Sequence, residues 1–325
     1  IVYISHKLEE LLQVGDRITV LRDGRIVAHA EATDVDVAWI IEQMVGRSPA
    51  SLFSRTEHDV GETLMQVRNV TLPRLGGGYL VHDVSFDVHA GEILGLYGLM
   101  GAGRTELMEV LAGIRPEAAG EVLLDGKDLM HASVSDRLEA GVVLVPEDRK
   151  TVGLVPTLSV AHNMVLASLK RYLNRFYLSA GKEKDAVAEM IGDLSVRVAD
   201  PRNSIDSLSG GNQQKVVVAK GLLTEPRVLL LDEPTRGIDV GAKSEIFQIM
   251  SRLALEGFGI VFVSSELKEV LAMSDRILVL SKGEVVAEFE GDRATEKELV
   301  DASAVGHGTT AMSNGSERGT VEVIQ

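Results

Sequence analysis

The chain has 325 residues, of which 45% are apolar, and a formal net charge of −15. The acidic balance argues against a nucleic-acid partner, the absence of cysteine excludes disulfides and thiolate chemistry, and no apolar run approaches the roughly 20 residues that span a bilayer. Any role at a membrane is therefore expected to depend on a partner. Abundant aliphatic residues and 32 glycines favour an α/β protein with buried parallel strands.

The two ends of the chain repeat each other. Residues 1–28 align without gaps to residues 260–287, and 14 of these 28 positions are identical, Asp16 and Asp275 among them. Each copy predicts a buried strand, a short helix and a hairpin with glycine in its turn. In the first copy these are Ile1–Ile4, Leu8–Val14 and the turn at Asp23-Gly24; in the second, the hairpin turns at Lys282-Gly283.

The repeat predicts the domain organisation. Because the chain enters this unit midway and without an initiator Met, we expect residues 1–50 to be the C-terminal remnant of a first domain. The polar residues 51–62 are expected to form a linker, and residues 63–302 a second domain. Residues 303–325 are rich in Gly, Ser and Thr, which predicts a disordered tail.

Short apolar runs and helical spacing predict the elements of the second domain. Alternation in Val67–Val88 favours antiparallel strands. The predicted buried strands are Ile93–Tyr97, Val142–Val145, Val228–Leu231 and Gly259–Val263. The predicted helices are Thr105–Ala112, Ala161–Leu173, Lys184–Leu194, Val216–Leu223 and Ser244–Leu255.

A glycine-rich loop follows the strand Ile93–Tyr97 and precedes a helix, which is the context of a phosphate loop. Its glycines allow backbone N–H groups to turn onto phosphates, and the helix N-terminus adds a favourable dipole. The pattern expects Lys where Arg104 stands, and it places the hydroxyl of Thr105 on Mg²⁺. The loop comprises Gly98, Leu99, Met100, Gly101, Ala102, Gly103, Arg104 and Thr105.

Two carboxylates end the strand Val228–Leu231. In a Walker B arrangement Asp232 would help to hold Mg²⁺, and Glu233 would orient or deprotonate the attacking water. The alternative is a solvated acidic turn that ends at Pro234. Upstream, the string Leu208–Lys215 (LSGGNQQK) places a hydroxyl and two flexible amides before a helix, which suits a terminal phosphate. Taken as composition only, this string would be a loop.

Together these motifs resemble an ABC transporter ATPase. More narrowly, GLMGAGRTEL, VPEDRK, LSGGNQQK and LDEPTRGIDVGAK resemble the second half of the tandem ATPases of simple-sugar importers, ribose-type among them. The resemblance covers nearly the whole chain up to about Ala302. It implies an α/β P-loop NTPase of ABC type, with a mixed core sheet, an antiparallel β subdomain and a helical signature subdomain.

The resemblance implies two unequal ATP sites between two domains facing head to tail. One ATP site would combine residues of the absent first domain, including its switch residue His6, with the signature of this domain. The other would join the phosphate loop, Asp232 and Glu233 to a signature outside the chain, with ATP and Mg²⁺ as ligands. The signature residues are Ser209, Gly210, Gly211 and Asn212.

The second site departs from the family pattern at three positions. Arg104 replaces Lys, Glu147 stands where the family at large has Gln, and Ser265 stands where the repeat has His6. Losing that His removes a side chain that would contact the terminal phosphate. We therefore expect this site to bind ATP and hydrolyse it slowly; the alternative is a working site with tolerated substitutions.

The resemblance also implies partners. The segment Pro146–Arg149 resembles the loop that senses the transmembrane permease, and Val155–Asp200 resembles the subdomain that docks on it. Asp239 resembles the residue that reports across the dimer, and Tyr79 would stack on adenine unless it is a packed strand residue. The expected location is the cytoplasmic face of the inner membrane, with permease subunits as direct partners, a sugar-binding protein as an indirect one, and no nucleic acid.

Two other classes remain open. A soluble ABC ATPase acting on chromosomes would carry a long coiled coil between the phosphate loop and the signature, but Thr105 and Ser209 are only 104 positions apart. Ribosome-associated types resemble the chain less in the EDRK and GNQQK strings. A nucleotide-bound scaffold without turnover is favoured by Arg104 and Ser265 for this half, whereas Glu233 argues against it.

Overall fold

A computed structural model of the chain describes residues 1–5, 8–22, 24–45, 59–174 and 177–305. Its elements are numbered here in chain order. The strands are β1 Arg17–Arg22, β2 Arg25–Glu31, β3 Thr63–Pro73, β4 Tyr79–His89, β5 Ile93–Tyr97, β6 Ala119–Leu124, β7 Lys127–Asp128, β8 Val142–Val145, β9 Leu173–Asn174, β10 Tyr177–Leu178, β11 Val228–Asp232, β12 Gly259–Val263, β13 Arg276–Ser281 and β14 Glu284–Glu290.

The helices begin with two in the N-terminal unit and continue through the main domain. They are α1 Leu8–Val14, α2 Val37–Val45, α3 Arg104–Leu111, α4 Val134–Ala140, α5 Val160–Val165, α6 Ala180–Asp193, α7 Gly210–Leu222, α8 Val240–Leu255, α9 Leu267–Met273 and α10 Glu296–Ser303. Short 3-10 or π segments lie at 32–34, 149–153, 166–172 and 205–207. No helix in the described part of the chain is long and apolar enough to cross a membrane.

The central sheet has six strands in the order β14-β13-β5-β12-β11-β8. All neighbours are parallel except β13 and β14, which form an antiparallel hairpin at one edge. Every residue of β5, β11 and β12 is buried, which explains why these strands read as continuous apolar runs. The mixed core sheet expected from the sequence is confirmed.

A second, antiparallel sheet has the order β4-β3-β6-β7. Its inward side chains, with those of α3 and one face of the central sheet, form one apolar core. A separate core covers the opposite face of the central sheet and includes residues of α5 to α9. The phosphate loop therefore leaves β5 between two packed layers, which hold it in place.

The predicted helical region 155–200 contains more than one kind of structure. The stretch predicted as one helix, Ala161–Leu173, is the short helix α5 followed by a 3-10 segment, Leu166–Tyr172. The other predicted helices lie within α3, α6, α7 and α8, with small differences at their ends. The subdomain is helical as expected, with the small hairpin β9–β10 inserted.

The N-terminal unit repeats the hairpin β13–β14 in β1–β2. Both hairpins change register at the same place, between Val20 and Leu21 in the first and between Val279 and Leu280 in the second. The predicted helix Leu8–Val14 is confirmed as α1. The unit has its own small core, centred on Ile18 and Ile40.

The prediction that Ile1–Ile4 is a buried strand is wrong. These residues form no strand in the structure, and Ile1, Val2 and Ile4 are almost fully exposed. Their repeat, β12, is buried because β5 and β11 pair with it on both sides, whereas no described strand pairs with Ile1–Ile4.

The predicted domain boundaries fall partly on residues outside the described ranges. Of the linker 51–62, residues 59–62 are described, and of the tail 303–325, residues 303–305. The last helix includes Ser303, one residue beyond the predicted boundary, and the Ser281 hydroxyl donates to the carbonyls of Ser303 and Val305. The ordered contacts of the main domain thus extend to Val305.

Candidate functional site

Four loops meet at one edge of the central sheet. Strands β5, β8, β11 and β12 run parallel, so the loops that follow them lie at the same carboxyl edge, where α/β sheets bind ligands. The loops begin at Gly98, Pro146, Glu233 and Ser264. Most of the sequence-predicted residues of the second ATP site lie on these loops or on the helix that one of them enters; Asp232 is the last residue of β11, and Tyr79 lies in β4.

The phosphate loop combines two left-handed backbone positions with a helix N-terminus. Gly101 and Gly103 have φ values of 78° and 96°, which only glycine adopts without strain. The loop closes by a hydrogen bond from the Ala102 amide to the Leu99 carbonyl, and α3 begins at Arg104. A helix N-terminus with turned-in amides is suited to phosphate. The side chains of Leu99 and Met100 point to solvent, so the loop's binding capacity lies in its backbone.

Close packing of the loop against β4 also requires glycine at position 103. A Cβ there would lie 2.4 Å from the Leu80 carbonyl oxygen. The neighbouring Tyr79 is half exposed and stacks on His82 with a centroid distance of 4.4 Å. The residue predicted to contact adenine is therefore the first residue of β4, next to Leu80, whose carbonyl approaches the phosphate loop.

Asp232 is buried at the end of β11, with only 2% of its surface exposed. Burial raises its pKa from the ordinary 3.8 to about 6, and the negative charge of Glu233 acts in the same direction, whereas a hydrogen bond from Thr105 opposes the shift. Its Oδ1 has no hydrogen-bond partner. A buried carboxylate oxygen without a donor, next to a hydroxyl, fits a divalent cation.

No group of three or more acidic or histidine side chains in the described ranges could hold a metal by itself. Mg²⁺ is usually held by one or two protein oxygens together with water and substrate phosphates. Asp232 and Thr105 therefore fit a Mg²⁺ ion that arrives with a nucleotide.

Glu233 is engaged by two side chains of its own domain. The Ser265 hydroxyl donates to Glu233 Oε2 at 3.0 Å, and Arg104 Nη1 lies 3.8 Å from Oε1. The same Arg104 nitrogen donates to the Ser264 carbonyl at 3.1 Å. The two substitutions predicted to weaken the site, Arg104 and Ser265, thus both face the candidate catalytic carboxylate.

Glu147 is paired with an arginine of its own domain. Its carboxylate forms an ion pair with the guanidinium of Arg236, in the turn after β11. The sequence predicted Glu147 to be a catalytic residue. The structure places it at the same edge of the sheet, where its partner is Arg236.

The signature residues begin α7. Ser209 is the N-cap, and its hydroxyl accepts hydrogen bonds from the side-chain and backbone amides of Asn212, at 2.9 and 3.5 Å. The Arg197 amide in turn donates to Asn212 Oδ1. Asn212 therefore fixes the orientation of the Ser209 hydroxyl, which remains exposed.

Asp239 is the N-cap of α8, and its carboxylate accepts from the Ala242 amide at 3.0 Å. With three of the signature residues it lines a cavity of about 570 Å³ that contains no residue of the phosphate loop. The signature and the phosphate loop therefore do not line the same cavity, and the signature cavity is also lined by Leu21, Arg22 and Met44 of the N-terminal unit. His6, predicted as the switch residue of the other site, lies outside the described residues.

Sequence reasoning missed a buried polar network behind the site. Glu269 accepts hydrogen bonds from Thr235 and Ser264, both at 2.7 Å, and from Lys243 at 2.8 Å. Burial raises the pKa of Glu269, and Lys243 opposes that shift. The repeat contained a signal for this residue, because Glu10 stands at the matching position of the first copy.

Comparison with known proteins identifies the class. The model of the ABC transporter family matches residues 81–236, which include the phosphate loop, the signature and Asp232. The matched domain, residues 81–236, belongs to this family, and its cassette is of the ABC ATPase type. A dimeric ATP-binding cassette in a post-hydrolysis state with ADP and Pi has the same fold, with a TM-score of 0.63 at 22% identity over 71% of this chain and 100% of that chain. A nucleotide-free cassette from an ABC transporter also has this fold, with a TM-score of 0.62 at 20% identity over 74% of this chain and 94% of that chain.

The curated relatives give a narrower similarity. The chain is 48% identical to the xylose import ATP-binding protein XylG of Burkholderia cenocepacia over 93% of its length, and 45% identical to the ribose import ATP-binding protein RbsA 2 of Rubrobacter xylanophilus over 98%. It spans 59% and 60% of the length of these two relatives.

Proposed function

We propose that the chain binds Mg²⁺–ATP and hydrolyses it to energise import of a small sugar through a partner membrane permease. The observation that carries the proposal is the meeting of the phosphate loop, the orphaned Oδ1 of Asp232 and Glu233 at one sheet edge. The sugar-import relatives support the substrate class.

The chain's own residues have distinct roles in this proposal. Backbone amides of the phosphate loop and the N-terminus of α3 bind the β- and γ-phosphates. Asp232 and Thr105 hold the Mg²⁺, which neutralises developing charge on the phosphates. Glu233 orients the attacking water. Tyr79 contacts the adenine ring, and Ser209 binds the terminal phosphate of a second nucleotide held by a facing domain.

We further propose that the site built on Arg104 turns over slowly. Both Glu233 oxygens face groups of the same domain, Ser265 and Arg104, so a water molecule must compete for them. The Arg104 guanidinium also donates to the Ser264 carbonyl and is therefore anchored to the segment that follows β12. A Lys at this position would be a compact charge without that second anchor.

The proposed partners follow from the two half-sites. A facing ATPase domain completes each site, with its switch His and phosphate loop opposite Ser209. The permease contacts the helical subdomain and the segment after β8, at the cytoplasmic face of the inner membrane, and a sugar-binding protein acts through the permease. A soluble ABC ATPase is the second candidate, but no specific contact favours it over import, and nothing supports a nucleic-acid partner.

The test is Mg²⁺–ATP binding and hydrolysis by the full-length gene product, alone and reconstituted with the permease of its locus in vesicles. We expect binding that requires Mg²⁺, and ATP-dependent uptake of a pentose or related sugar. The Glu233→Gln variant is expected to bind but not to support uptake. Mg²⁺-independent binding with no uptake of any sugar would contradict the proposal.

A further inference from the structure

The segment that follows β8 is held rigidly by Asp148. Its Oδ1 accepts from the amides of Lys150 and Thr151, at 3.0 and 3.1 Å, and its Oδ2 accepts from the Thr151 hydroxyl at 2.7 Å. These hydrogen bonds hold the pKa of Asp148 below its usual range, so the cap stays ionised at neutral pH. The cap fixes the start of the π segment Arg149–Gly153.

This rigid segment holds the turn after β11 at three points. Arg149 Nη1 donates to the Arg236 carbonyl at 2.9 Å, and Nη2 donates to the Gly237 carbonyl at 3.2 Å. The Glu147 carboxylate pairs with the Arg236 guanidinium. Main chain and side chain of the turn are thus both bound by residues 147 and 149.

The turn that is held in this way carries Glu233. The Arg236 amide donates to the Glu233 carbonyl at 3.0 Å, and Glu233 has a φ of 47°, in the left-handed region. A left-handed non-glycine residue is strained and persists only where surrounding contacts hold it. The contacts to Arg236 therefore help to keep Glu233 in its strained conformation.

Arg149 also lies next to the first residue of the signature helix. A Cβ added to Gly210 would lie 2.8 Å from Arg149 Nη2. One guanidinium therefore binds the turn that carries Glu233 and lies next to the start of α7, which follows the exposed hydroxyl of Ser209. These are the two places from which this domain would contribute to two different ATP sites.

We propose that Arg149 is a positioning residue that, with Glu147, ties the segment after β8 to the Glu233 turn and to the start of the signature helix. A displacement of this segment moves both catalytic elements together. The inference rests on the proposed function, because it assigns to Glu233 and Ser209 roles in ATP hydrolysis.

The first test compares Arg149→Ala and Arg149→Lys with wild type in the full-length gene product. Lys can donate to one carbonyl but lacks the planar fork that reaches two. We expect kcat for ATP to fall about tenfold in the Ala variant and less in the Lys variant, with KM within about twofold. Arg202→Ala is the matched control, since Arg202 is exposed and binds only Asp200 in the described structure.

A second readout does not need turnover. Amide hydrogen exchange at residues 233–239 is expected to be faster in both Arg149 variants than in wild type, and unchanged in Arg202→Ala. If Arg149→Ala does not fold, Arg149→Lys and Glu147→Gln provide the same comparison. Equal exchange and equal kcat in wild type and the Arg149 variants would overturn the inference.

Charge exchange tests the ion pair. Glu147→Arg and Arg236→Glu should each lower kcat, and the double variant should recover at least part of the loss, because opposite charges again face each other. No recovery in the double variant would exclude a positioning role for the pair. If wild type fails to bind Mg²⁺–ATP, the proposed function fails. The amide hydrogen-exchange comparison of the Arg149 variants still decides whether Arg149 holds the turn.

Discussion

The Ser265 hydroxyl donates a hydrogen bond to Glu233 Oε2 at 3.0 Å, so the candidate switch residue contacts the candidate catalytic carboxylate. In the first copy of the repeat the matching position holds His6. A serine hydroxyl is shorter than an imidazole, and here its proton is directed to the carboxylate. This contact supports the proposal that the site turns over slowly.

Restoring the family pattern should raise turnover. We expect Arg104→Lys combined with Ser265→His to increase single-turnover ATP hydrolysis at this site by about tenfold, because both groups that occupy Glu233 are removed and a phosphate-contacting side chain is added. Adding Glu233→Gln to the double variant should abolish the gain. An unchanged rate in the double variant would mean that the natural residues do not limit hydrolysis.

Mg²⁺-dependent ATP binding should weaken as the pH falls through about 6, because Asp232 then takes up a proton. We expect at least a fivefold lower affinity at pH 5 than at pH 7.5, measured by titration with ATP at fixed Mg²⁺. Asp200→Asn, at an exposed carboxylate, should leave this dependence intact. The same affinity at both pH values would contradict the assignment of Asp232 to Mg²⁺.

The same raised pKa predicts the sign of a stability effect. The folded state keeps the Asp232 proton up to about pH 6, whereas the unfolded state releases it near pH 3.8. Stability from this group is therefore lost as the pH rises from 4 to 6, by roughly 3 kcal/mol. In urea denaturation at pH 7.5 without Mg²⁺, Asp232→Asn should be more stable than wild type. A less stable variant would show that Asp232 is stabilised by contacts in its ionised form.

The sequence was most informative where structure depends on local pattern. The strands β5, β8 and β12 match their predicted bounds, because short apolar runs between glycines and polar residues define buried parallel strands. Ile1–Ile4 has the same pattern and is exposed, because the burial of a strand depends on neighbours that the pattern does not contain.

Contacts between distant residues could not be predicted. Arg149 binds carbonyls 87 and 88 positions away, and Glu269 binds the Thr235 hydroxyl 34 positions away. Backbone carbonyls carry no sequence signature, so an arginine that binds them looks like any surface charge. The residue types at the phosphate loop were predicted, whereas the orientation of Arg104 toward Ser264 and Glu233 required the structure.

Arg137 is a second arginine that binds distant backbone carbonyls, and we expect it to be needed for stability. It is almost fully buried and donates to the carbonyls of Val110, Leu111, Met130 and Ala132. Arg137→Met would keep much of the volume but leave buried carbonyls without a donor. We expect the free energy of unfolding, measured by urea denaturation, to fall by about 3–5 kcal/mol in this variant. In the exposed control Arg202→Met it should fall by less than about 1 kcal/mol. Similar losses in both variants would contradict this role.

Alanine substitutions at Gly103, in the phosphate loop, and at Gly257, outside it, would distinguish the cost of backbone strain from the cost of a steric clash. The φ values of the two glycines, 96° and 92°, are nearly equal, but a Cβ on Gly103 would lie 2.4 Å from the Leu80 carbonyl oxygen, whereas nothing lies within 4 Å of one on Gly257. Alanine at either position costs about 1–2 kcal/mol for the left-handed backbone. Gly103→Ala must also displace β4 or the loop, so it should be the less stable variant by at least about 1 kcal/mol and should lose ATP affinity. Equal destabilisation with intact ATP binding in both variants would mean that the loop tolerates the added methyl group and that its contact with β4 does not set its shape.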